Sequence, residues 1–136
     1  SGLQMTLTEI RNAVISRMTA QTAIAAEDVR YSNDSRGTYD PTGKAIWARL
    51  TNVTGVAGAN EIGAGPVVHR TGVLIVQLFV PVNDGTVLIT ETADKIRELF
   101  EFQDDGRLSY FAVSCYDAGE ADGWYQINLN IPYRAL

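Results

Sequence analysis

Cysteine and histidine are almost absent from this sequence, which has one of each, Cys115 and His69, in 136 residues. A single cysteine excludes an internal disulfide. One thiol and one imidazole also cannot build a zinc site of the usual ligand types within one chain. Concentrated basic charge is missing too. The eleven Lys and Arg are scattered from Arg11 to Arg134 and the formal net charge is −5, so there is no basic face of the kind that grips duplex DNA by its phosphates. No apolar run approaches the ~20 residues that a membrane-crossing helix needs. No secretory signal pattern opens the chain, so the expected compartment is the cytoplasm of the cell that makes it. The first four residues, SGLQ, read as a possible cloning remnant outside the fold.

What remains is an ordinary globular composition, 46% apolar and 20% charged, at a length that suits one domain over residues 5–136. Thr6 and Glu9 have capping-box spacing. Leu7, Ile10, Val14 and Met18 then recur on one helical face. The run TAQTAIAAEDV either extends this helix or forms a second short one. A polar, turn-rich loop, residues 31–44, precedes a strand at 46–54. GVLIVQLFVPV (72–82) is a strand with both registers apolar: Val73, Ile75 and Phe79 on one side, Leu74, Val76, Leu78 and Val80 on the other. A strand covered on both faces reads this way. ETADKIRELFEF has Ala93, Ile96 and Phe100 at helical spacing. LSYFAVSCYD (108–117) and WYQINLNIPY (124–133) are two more strands joined by the acidic turn AGEADG. In the last strand Tyr125, Ile127, Leu129, Ile131 and Tyr133 share one face, and Gln126, Asn128 and Asn130 the other.

These elements predict an α+β fold: a single domain with a mainly antiparallel sheet of about four strands, helices on one face, and element order α-β-β-α-β-β. One helix layer covers one face of a sheet. The doubly apolar strand therefore calls for a second cover, supplied by a neighbouring subunit or by the N-terminal segment wrapping round.

Chemistry is hard to place on these residues. The glycine-rich stretch GVAGANEIGAGPVVHR (55–70) suggests a phosphate cradle, but Ala64 and Gly65 stand where a Walker loop needs Lys and Ser/Thr. Val68 stands where a dinucleotide fingerprint needs glycine. The stretch reads instead as a connector about 15 residues long, free in the single subunit and ordered against a partner, since loops of that length are usually functional or disordered. DAGEADG (117–123) lacks acids at the third and fifth positions of a calcium loop and reads as a solvated turn. Cys115 reads as a buried, inert thiol beside Phe111 and Val113. No catalytic set, cofactor site or metal site is expected.

Four segments, MTLTEIRNAVISRMTA, RTGVLIVQLFVPVNDGT, ADKIRELFE and DGWYQINLNIPYRAL, resemble the tail-terminator-like family of tailed phages and prophages, including lambda-like siphophages. The resemblance spans nearly all of residues 5–136 and includes a closing strand that begins at Gly123-Trp124. It implies a structural role and no enzymatic activity. Such proteins form a hexameric ring that caps the tail tube, stops its polymerisation and receives the head-side connector. The implied partners are further copies of the chain, the major tail tube protein and the connector, with no sequence-specific nucleic acid and no membrane. The implied location is the virion tail, assembled in the host cytoplasm. Another tail-completion or head–tail joining protein of similar fold, or a small ligand-binding domain or enzyme, are the alternatives. Loops on a rigid scaffold most often carry contacts, so the expected interface residues are Arg36 and Tyr39 in the first loop and Asn60, Glu61, His69 and Arg70 in or beside the second. Trp124 joins them as an aromatic anchor, unless it only packs over the adjacent turn.

Overall fold

A computed structural model describes residues 5–55, 58–59 and 68–136. Helix α1, Leu7–Thr19, begins on a reciprocal cap: the Thr6 hydroxyl accepts from the Glu9 amide at 3.1 Å, and the Glu9 carboxylate accepts from the Thr6 amide at 2.9 Å. Two of the four free amides of the first turn are thereby satisfied. Ile10, Val14 and Met18 are buried, whereas Leu7, in phase with them but in the first turn, is 63% exposed. The alanine-rich run neither prolongs α1 nor makes an α-helix of its own. Gln21 brackets Ile24 with two hydrogen bonds of 2.7 and 2.9 Å, and a 3₁₀ turn at Ala26–Asp28 leads into a strand.

That strand is β1, Val29–Tyr31, followed by β2 (Trp47–Thr54), β3 (Gly58–Ala59) and β4 (Val68–Pro81). Helix α2 (Val87–Phe100) comes next, and then β5 (Leu108–Tyr110), β6 (Ser114–Ala121) and β7 (Trp124–Ala135). The class is α+β, but the sheet is mixed and seven-stranded rather than antiparallel with about four strands. Its order is β1-β2-β4-β7-β5, with β3 on β4 and β6 on β7. β1 runs parallel to β2 and is three residues long, too short to show alternation. The stretch at 108–117 is two strands because Pro132 of β7 accepts from the Phe111 amide at 3.0 Å but has no N–H to return. The ladder breaks there, and the Val113 amide donates to the Glu101 carboxylate instead, at 2.9 Å. The turn between β6 and β7 is shorter than AGEADG: Asp122 (φ 53°) and Gly123 (φ 84°) make a two-residue hairpin loop, the positive-φ pair that suits the strand twist.

The central pair is β4 and β7, joined over twelve positions from Arg70↔Ala135 to Pro81↔Trp124. Leu74, Val76 and Leu78 stand opposite Ile131, Leu129 and Ile127, with Leu50 and Ala48 of β2 in the same register. All are buried in one core with Ile10, Val14 and Met18 of α1 and Ile89, Ile96 and Phe100 of α2. Each such side chain contributes about 1.5–3 kcal/mol by leaving water. Both helices therefore lie on one side of the sheet. Gly72 has a packing reason on this side. A Cβ there would strike the Tyr133 ring and hydroxyl, and that hydroxyl donates to Asn52 at 2.8 Å.

Candidate functional site: the open face of the sheet

The other face of the sheet is set by the same registers. Successive strand residues point to opposite sides, so the residues between the core positions line a second surface. On β2 these are Trp47, Arg49, Thr51 and Val53, and their partners on β4 are Phe79, Gln77, Ile75 and Val73. On β7 the row continues as Gln126, Asn128, Asn130 and Pro132, with Tyr116 and Ser114 on β6. Val73, Ile75 and Gln77 are half-buried and Arg49 is exposed. Of the N-terminal segment, α1 lies with α2 on the core side, and the first loop reaches only the end of this face at Trp47.

Aromatic rings close one end. Trp47 stacks on Phe79 with centroids 4.1 Å apart and planes at 12°, and Trp124 meets Trp47 edge-on at 6.0 Å. Tyr39 of the first loop reaches the same cluster, 5.3 Å from Trp47. The middle of the face is a strip of carboxamides. Gln126 donates to Asn128 at 2.6 Å, Asn128 donates to the Tyr116 hydroxyl at 3.2 Å, and Arg49 donates to Gln77 at 2.9 Å. Trp47 Nε1 and Asn130 Oδ1 are buried without a partner among the described residues, each at a cost of about 1–3 kcal/mol. Arg134, at the far end, lies 5.8 Å from the Phe111 ring centroid. No carboxylate occupies an outward strand position on β2, β4, β6 or β7. Among the described residues none pairs with Arg49 or Arg134.

The expected contact residues fall into three groups. Arg36 and Tyr39 are committed within the fold. Arg36 binds both Asp34 oxygens at 3.0 and 2.7 Å and donates to the carbonyls of Ala26 and Val29. Tyr39 donates to Asp28 at 2.8 Å with Arg30 over its ring. Burial, with Asp28 beside it, pushes the Tyr39 hydroxyl well above the usual phenol range. Asn60 and Glu61, and most of the proposed arm at 55–69, lie outside the described residues. His69 contributes backbone pairing to Gly58, and Arg70 turns to the core side in register with Gly72, its Nε buried without a partner among the described residues. Trp124 joins the open face, at the aromatic cluster that Tyr39 also reaches.

Sequence reasoning passed over Trp47, Arg49, Gln77 and Arg134. The polar register of β7 was readable, but aligning β2 with it required the register of β4 between them. Cys115 is corrected as well. It occupies a core-side register on β6 yet is exposed, because β6 is an edge strand with no neighbour beyond it among the described residues. No group of three or more His, Cys, Asp or Glu among the described residues could hold a metal. A recess of about 320 Å³ opens between α1 and the first loop, beside Arg11, Tyr31 and Arg36. No helix among the described residues is long and apolar enough to cross a membrane.

A one-sided α+β layer whose second sheet face has no helix over it among the described residues defines a subunit with surface to spare for assembly. Residues 9–133 match the family described as phage tail terminator protein, and the chain belongs to that family, a structural component of phage tails. No curated protein matches the chain. One similar solved structure superposes with a TM-score of 0.69 over 97% of this chain and 96% of its own, at 20% identity. At that identity the likeness shows the fold alone.

Proposed function

We propose that this protein is a tail terminator in the full sense: a ring subunit, six to a ring, that caps the growing tail tube. The ring stops polymerisation of the tube protein and presents the surface that receives the head-side connector. The observation that carries this reading is the family match across residues 9–133. The bare sheet face supports it, since half-buried Val73 and Ile75 and exposed Val53 (49%) gain from a cover that the described residues do not supply. The partners are other copies of the chain, the major tail tube protein and the connector, in the virion tail.

Negative-stain imaging of the purified protein, alone and with polymerising tube protein, tests the proposal. The expected result is rings, and tubes that stop growing at a capped end. Light scattering that finds only protomers, together with unchanged tube length, would sink it. Recovery in a pull-down of a head-side protein but not the tube protein would favour the head–tail joining role instead.

A further inference from the structure

Phe102 sits where a phenylalanine is least expected. The Gln103 amide donates to the Phe100 carbonyl at 3.0 Å, closing a turn whose middle residues are Glu101 (φ −58°, ψ 123°) and Phe102 (φ 57°). The second middle position of such a type II turn requires positive φ and is ordinarily Gly or Asn. The other non-glycine residues with positive φ among the described residues are Asn33, Asn83 and Asp122, types whose short polar side chains suit that conformation. Phe102 is also the most exposed large apolar side chain among the described residues, at 71%. Folding of the single chain favours neither the backbone strain nor the bare side chain. Strain of this kind collects at clamps, switches and binding contacts.

A receptor of matching size lies on the same chain. The recess of about 320 Å³ between α1 and the first loop has Val14 and Leu50 as a buried apolar floor, half-buried Ile15 and Tyr31 as walls, and Arg11 and Arg36 at its rim. It is at the small end of ligand-sized sites and suits one aromatic side chain, not a helix or a strand. Exposed Arg11 offers a guanidinium to the face of an incoming ring. Phe102 of the same chain cannot be the occupant. The recess belongs to β1 and β2 at one end of the strand order, whereas Gln103, next to Phe102, accepts from Tyr110 of β5 at the other end, at 2.8 Å. Four strand spacings of about 4.8 Å, roughly 20 Å in all, separate the two ends. Helix α1 also stands between: Arg11 and Ile15 face the recess, and Arg17 donates to the Leu99 carbonyl of α2 at 2.8 Å. We infer that Phe102 of one copy inserts into the α1–first-loop recess of the next, an inference that rests on the ring reading above. Knob and recess lie towards opposite edges of the sheet, so each copy gives one contact and receives one, head to tail, the arrangement that closes rings. One aromatic anchor seated in a pocket is also the kind of contact that dominates interface energetics.

Two variants test the contact. Phe102→Gly removes the knob and relaxes the turn, so it should melt at or above the wild-type temperature yet need at least tenfold more protein than wild type to associate in light scattering. Ile15→Trp fills the recess from α1 and should show the same loss, with Ser35→Trp at the exposed rim taking its place if circular dichroism shows Ile15→Trp misfolded. Mixed one to one, the two variants should sediment as pairs and nothing larger. The intact Phe102 of the filled copy then enters the open recess of the knobless copy, and neither outer end can add another. Wild-type association by either variant, or no pair in the mixture, overturns the docking while leaving the ring intact. A Phe102→Gly protein that melts well below wild type also overturns it, since the side chain would then be packed within its own chain. So does a filled-recess variant that forms normal rings but no longer stops tube growth, since the recess would then receive the tube protein. A wild-type protein that never associates removes the ring reading and the docking together.

Discussion

Asp34 shows what the first loop spends its charges on. Its carboxylate accepts from the amides of Tyr31 and Arg36 at 3.2 and 2.9 Å and from the Arg36 guanidinium. Arg36, foremost, holds the Asp34 carboxyl well below the usual carboxylate range. A folded-state value below the unfolded one gives stability that is present above the ordinary value of 3.8 and is lost as pH falls below it. Asp34→Asn should cost about 2 kcal/mol near neutrality and flatten the loss of melting temperature between about pH 4 and pH 2, read in parallel melts. An equally steep acid limb in both proteins would reject the clamp. Cys115 makes an opposite case. Its thiol is exposed, yet partial burial foremost raises it above the ordinary value. Ellman's reagent should therefore modify one thiol per folded chain, slowly at pH 7 and faster as pH rises through 9. Labelling only after denaturation would restore the buried reading. That Arg36 and Tyr39 are hydrogen-bonded within the fold could not be recognised from sequence, because their partners, Asp34, Asp28 and two backbone carbonyls, are brought to them by loop geometry.

Elements were legible where a period ran long enough. The Thr6–Glu9 box fixed the start of α1, and Thr6→Ala should cost about 1 kcal/mol, seen as a lower urea midpoint at unchanged slope. No change would mean the cap is redundant with the Met5–Leu136 backbone bond beside it. Most of β4 and β7 was legible, 72–82 from a long apolar run and 124–133 from alternation, though the strands extend to 14 and 12 residues. β1 and β5, three residues each, carry no period to read. The break before β6 depends on Pro132, twenty residues away in β7, and only the paired ladder reveals that its missing N–H falls on that side.

At the scale of the molecule, composition gave the total charge and the scarcity of cysteine and histidine. It could not show that the outward positions of β2, β4, β6 and β7 carry no carboxylate. The sequence alone determined what depends on neighbours along the chain: the capped helix, the long strands, the apolar and polar registers of β7, and the family that those segments mark. Only the tertiary structure decided which register of β2 meets which of β4 and β7, and which of the two faces the helices cover. Period-2 alternation divides residues between two faces without saying which face the helices will choose. That choice, made by packing, left Trp47, Arg49, Asn128 and Arg134 together on the face away from the helices.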